Sequence, residues 1–81
     1  MRKSAEIYMG LPYARMIWPD IDEGGFVGEI LELEGCLTQG ETLEEVWKNL
    51  DDAMRGWIEA QLDQGRTVPT PRGDDWREPK S

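Results

Sequence analysis

Thr42-Leu43-Glu44-Glu45-Val46-Trp47-Lys48-Asn49-Leu50-Asp51-Asp52-Ala53-Met54-Arg55-Gly56-Trp57-Ile58-Glu59-Ala60-Gln61-Leu62-Asp63-Gln64-Gly65 is the stretch on which the fold turns. Its apolar residues, Leu43, Val46, Trp47, Leu50, Ala53, Met54, Trp57, Ile58 and Leu62, recur at the spacing of one face of an α-helix. The charged residues Glu44, Glu45, Lys48, Asp51, Asp52, Arg55 and Glu59 fall on the other face, so the segment predicts an amphipathic helix with a solvated side. Thr42 and Glu45 have capping-box spacing, which predicts exchange of hydrogen bonds between each side chain and the other's amide. Gly65 supplies the left-handed residue that closes a helix. Gly56 costs about 1 kcal/mol relative to alanine in a helix interior, so a close backbone neighbour is expected there: the sheet by preference, a subunit interface as the alternative.

An amphipathic helix needs a surface to cover, and the residues before it supply one. Tyr13 to Trp18 alternates Tyr13, Arg15 and Ile17 against Ala14, Met16 and Trp18. Pro19 to Gly25 reads as a turn, and Phe26 to Leu31 sets Phe26, Gly28 and Ile30 opposite Val27, Glu29 and Leu31. Glu32 to Gly35 turns the chain into a third strand, Cys36 to Gln39. Short connections make the three an antiparallel meander with the long helix across one face, an α+β domain. Residues 66–70 are expected to add a short fourth strand at the sheet edge, where Pro69 and Pro71 confine it. Ser4 to Met9 is expected to form a helical turn. The domain then spans residues 1–71, with 72–81 as a polar tail in which Trp76 is the one large aromatic.

Composition narrows the chemistry. Eighty-one residues hold one small core, which points to completion by oligomerisation or a partner. With no histidine, Ser-His and Cys-His nucleophile pairs and imidazole metal ligands are absent. Cys36 is the single cysteine, too few for an internal disulfide or a thiolate metal cluster, and beside glutamates it reads as a small strand residue rather than a nucleophile. No apolar run suggests a signal peptide or a membrane span, so the cytoplasm is the expected compartment. The net charge of −8 is concentrated in residues 18–65, where thirteen carboxylates face only Lys48 and Arg55. Such a body repels phosphate backbones and attracts a basic partner, so direct nucleic-acid binding is not expected.

The succession Leu11-Pro12-Tyr13, Pro19-Asp20, Gly24-Gly25-Phe26, Glu32-Leu33-Glu34-Gly35-Cys36, Thr38-Gln39-Gly40-Glu41-Thr42, Glu44-Glu45, Ala53-Met54, Trp57 and Gly65 with Val68-Pro69 resembles the HicB-type antitoxin family over residues 4–71. The resemblance implies a partial RNase-H-like fold that acts as a protein-binding module and assembles as a homodimer or homotetramer. It also implies a partner, a small basic HicA-like toxin that cleaves mRNA until the antitoxin of this type II pair covers it. Longer members append a DNA-binding segment. Residues 72–81 are too few and too mixed in charge to form one, so a short form is expected.

These readings converge on a non-enzymatic module without metal or cofactor. Glu29, Glu32, Glu34, Glu41, Glu44 and Glu45 are the candidate partner-binding acids, weighed against ordinary surface charge. Trp18, Phe26 and Trp76 are the candidate oligomer-interface aromatics. Trp47 and Trp57, on the apolar helical face, are expected in the core, with a dimer seam as the lesser alternative. Two further readings stand behind the first: an orphan HicB-like homo-oligomer of another role, and a metal-dependent nuclease using carboxylates such as Asp20, Asp22, Glu29 and Asp51. Asp20-x-Asp22-x-Gly24 is not a calcium loop, because Leu31 stands where the bidentate glutamate is required.

Overall fold

The computed structural model describes residues 4–71. Helix α1 (Ala5–Met9) leads into strand β1 (Arg15–Pro19), followed by β2 (Phe26–Ile30), β3 (Leu37–Gly40) and the long helix α2 (Leu43–Asp63). The strands form one antiparallel sheet in the order β1-β2-β3, as the meander reading requires. Register is set by Ile17 opposite Gly28, and Gly28 opposite Thr38.

The apolar stripe of α2 is buried at Val46, Leu50, Met54 and Ile58, one residue per turn. Against it pack Ile30, Leu33, Cys36, Tyr8, Tyr13 and Val68, with Ile17, Phe26 and Trp57 at the margin of the same core. Gly28 permits this packing: a Cβ there would lie 2.6 Å from Val46 Cγ1 and 3.0 Å from Leu50 Cδ1. The helix therefore rides on bare β2 backbone, and the close approach that the sequence led us to expect at Gly56 occurs instead at this sheet glycine. Gly56 itself is exposed and has no neighbour within 4 Å of a built Cβ, because it stands off the buried stripe.

Both ends of α2 are capped. Thr42 Oγ1 accepts the Glu45 amide at 3.1 Å, but the Glu45 carboxylate reaches one residue further back than a capping box requires and accepts the Glu41 amide at 2.5 Å. At the other end Gly65 takes φ +69°, its amide donates to Leu62 O and the Arg66 amide donates to Gln61 O. This paired arrangement is a Schellman motif.

The expected fourth strand does not form: residues 66–71 make no ladder, and the described sheet has three strands. The segment is instead anchored by buried Val68, by Tyr13 Oη donating to Pro69 O at 2.6 Å and by Gln61 Nε2 donating to Thr67 O at 3.0 Å. Two prolines in six residues leave too few amide donors for a strand, whereas their carbonyls remain good acceptors. The polar tail and Trp76 lie outside the described residues. Among the described residues no helix is long and apolar enough to cross a membrane.

Candidate functional site

With α2 covering one face of the sheet, the side chains of opposite parity point away from the core. They form two rows across the strands, Met16-Glu29-Leu37 and Trp18-Val27-Gln39, with Leu31 continuing the alternation of β2. The exposed fractions are large for apolar groups: 47% for Met16, 37% for Trp18, 48% for Leu31 and 53% for Leu37. Val27, Leu37, Thr38 and Gln39 line a shallow depression on this side. A clustered apolar surface of this kind marks a binding site more often than a scatter of single exposed residues does. Glu29, half-buried between Met16 and Leu37, is the one charge within the two rows.

The six candidate glutamates do not form one patch. Glu29 lies on the outer sheet face; Glu32 and Glu34 occupy the β2–β3 turn, at the end of β2 away from Gly40 and α2's first turn. Glu32 Oε1 accepts the Ala14 amide at 2.9 Å, and Glu32 and Glu34 border a cleft shared with Trp57, Gln61, Arg66 and Pro69. Glu41, Glu44 and Glu45 gather at the start of α2, where Glu44 and Glu45 also complement the positive end of the helix dipole. The two acidic clusters thus lie beyond opposite ends of β2.

Trp18 and Phe26 separate in the same way. Trp18 is on the outer face, whereas Phe26 packs against the core on the helix side. Trp57 is half-buried and its indole N–H donates to Glu34 O at 2.9 Å, tying the β2–β3 turn to α2. Trp47 departs from the core assignment: 52% of it is exposed, as is 56% of Leu43. The principal contacts of α2 are with β2, β3 and α1, and on this flank a side chain of β1 meets the Trp47 ring. That side chain is Arg15, whose guanidinium carbon lies 4.2 Å from the Trp47 ring centroid while its Nη2 donates to Asp51 Oδ1 at 2.6 Å. The inward parity of Arg15 among apolar neighbours was the sequence signal for this contact.

The carboxylates invoked for a nuclease are spread across the molecule. Asp20 Oδ1 accepts the amides of Asp22 and Glu23 in the β1–β2 turn, and Asp51 pairs with Arg15 on the helix side. Glu29 is on the far side of the sheet from Asp51. Among the described residues no group of three or more His, Cys, Asp or Glu is placed to hold a metal ion. Burial pushes the Cys36 thiol above its usual range, with Glu29 adding to the shift and Arg15 opposing it, so the group is held as a neutral core residue.

A family model described as UPF0150-like matches residues 17–69, from the middle of β1 to the Val68 anchor. The chain belongs to the UPF0150-like family. Its relatives include the UPF0150 protein ssl0259 of Synechocystis sp., 43% identical over 58 residues that cover 72% of this chain and 78% of the relative. A second, the UPF0150 protein Ta0767 of Thermoplasma acidophilum, is 29% identical over 65 residues, covering 80% of this chain and 93% of that protein. The UPF0150-like match therefore takes in β1 from Ile17 onward, β2, β3, α2 and both acidic clusters.

Proposed function

We propose that this UPF0150-like chain is a HicB-type antitoxin, a cytoplasmic, non-enzymatic module that neutralises a small basic HicA-like ribonuclease by covering its RNA-binding surface. The observation that carries the reading is the uncovered outer sheet face, apolar residues around Glu29 with acidic clusters at both ends. A protein that binds RNA presents cations to phosphate; an acidic surface competes for those cations, and apolar groups at its centre supply burial that RNA does not. The flanking clusters speed encounter through their long-range field and lose that effect as salt rises, while Met16, Trp18, Leu31 and Leu37 set residence time. No catalytic group is needed, because occlusion alone removes the active site from mRNA.

The test is an RNA-cleavage assay on the basic product of the adjacent reading frame, with increasing amounts of this chain. The proposal predicts suppression that is complete at a fixed stoichiometry, and slower association after charge reversal at Glu32, Glu34 and Glu41. Cleavage unaffected by an excess of this chain, or a neighbouring product that cleaves nothing, would overturn the antitoxin reading and leave an orphan UPF0150-like module.

A further inference from the structure

Glu29 stands in the middle of the outer face, and the strand register gives its surroundings. Met16 and Leu37 are its cross-strand neighbours, one strand spacing of about 4.8 Å to either side, while Val27 and Leu31 precede and follow it on the same face of β2. Trp18 lies on the diagonal of the β1–β2 ladder, about 7–8 Å away, a separation within reach of an indole. The half-buried carboxylate is thus ringed by apolar side chains, and no cation among the described residues pairs with it or stacks on Trp18. On the helix side of the sheet the chain shows what such a pair of groups holds. There the Arg15 guanidinium carbon lies 4.2 Å from the Trp47 ring centroid while its Nη2 donates to Asp51 Oδ1 at 2.6 Å.

We propose that Trp18 and Glu29 form a socket for an arginine side chain of the bound partner, and that this socket, rather than the general acidity of the chain, selects the partner. The inference rests on the reading of the outer face as the partner-binding surface and names the group which that face recognises. Charge fixes the sign of the occupant. Any protein that docks here removes water from Glu29, and a carboxylate desolvated among apolar groups is tolerated only with a cation against it. Shape then chooses between cations. A guanidinium is planar, donates two parallel hydrogen bonds to one carboxylate, is more weakly hydrated than an ammonium and lies flat on an indole, whereas the lysine ammonium is a strongly hydrated point charge. A second copy of this chain is a poor occupant, because centring it on this face would bring two Glu29 carboxylates together in a protein already at −8. Met16, Val27, Leu31 and Leu37 supply the apolar rim that keeps water from the pair.

Binding kinetics against the basic product of the adjacent reading frame, at low and high salt, test the socket. Glu29→Gln keeps the shape of the side chain and should weaken binding by about 30-fold or more, nearly all of it in the dissociation rate and with little change at high salt, because the pair is enclosed in the complex. Charge reversal at Glu32, Glu34 and Glu41 acts instead on the association rate and fades with salt, so the two electrostatic contributions separate. Trp18→Leu retains an apolar side chain without the indole face and should cost about three- to tenfold. Both variants alter partly exposed positions, and matching thermal unfolding checks their fold. Lysine in place of each partner arginine in turn should find one position that weakens binding to the parent chain and adds little against Glu29→Gln. A Glu29→Gln effect confined to the association rate, or a partner in which every arginine tolerates lysine, would overturn the socket while leaving suppression of cleavage, and with it the antitoxin reading, intact. Should no complex form, that reading fails by itself, and NMR titration of the chain with Nα-acetylarginine methylamide and its lysine counterpart decides the socket. The arginine ligand should shift the Trp18 indole and Glu29 carboxyl resonances more than the lysine ligand does, and Glu29→Gln should abolish the preference; equal shifts overturn the proposal.

Discussion

The two faces of the sheet are made from similar side chains and have opposite roles. Ile17 and Ile30 on the helix side, and Met16, Trp18 and Leu31 on the outer side, are all apolar, yet only the first group is covered. The difference comes from the residues between them. At the middle of β2 the helix side has Gly28, which lets α2 settle onto the backbone; the outer side has Glu29, which no described element packs against with an opposite charge. Both faces are apolar enough to gain from burial, while one glycine and one glutamate decide which is covered within the chain and which stays exposed.

The largest expected effect comes from the covered face. Leu50→Ala removes a fully buried side chain at the helix–sheet contact and should cost about 2–5 kcal/mol in chemical denaturation. A loss no greater than that of a surface substitution would break the comparison. Gly28→Ala adds a methyl where Val46 and Leu50 already stand, and a cost of about 1–3 kcal/mol is expected from overpacking. Equal stability of that variant would mean that α2 does not ride on the bare backbone of β2.

A smaller effect, with a pH signature, lies at the margin of the core. Burial first, then the proximity of Tyr8 and Glu32, raises the Tyr13 phenol above its usual range, and the neutral form is the one that donates to Pro69 O. A raised folded pKa means that the folded state holds the proton longer than the unfolded chain. The contribution of Tyr13 is therefore fully present below the unfolded value of about 10 and declines as pH rises through the higher folded value. Tyr13→Phe should cost about 1 kcal/mol at neutral pH, with the gap to the parent closing under strong alkali. Parallel denaturation curves across that range would contradict the assignment.

Much of the fold is legible in the sequence, and the physical reasons for the remainder are local. The period of Val46, Leu50, Met54 and Ile58 marks the buried stripe, and strand alternation separates Met16 and Trp18 from Ile17 correctly. Alternation alone does not say which side the helix takes, since both are apolar; Gly28 carries that information only once the register opposite α2 is known. Trp47 matches the helical period but lies to the side of the Val46–Leu50 stripe that sits on Gly28, so Arg15 of β1 stacks on it in place of a core. The glutamates are legible as an acidic excess and as two groups of sequence neighbours, but the placing of those groups at opposite ends of β2 and of Glu29 on the outer face follows only from the strand register. Proline spacing at 69 and 71 argued for an edge position, but the missing donors remove the strand altogether.

The most direct test of the division between the faces is Leu37→Lys, which alters the outer face on β3, away from the β1 edge, and touches none of the core. Thermal stability and suppression of RNA cleavage by the adjacent reading frame's product should be measured on the same preparation. The account predicts a stability change within about 0.5 kcal/mol of the parent, as for a surface site, together with a clear loss of suppression. Suppression at the parent's stoichiometry, or destabilisation on the scale of Leu50→Ala, would contradict it.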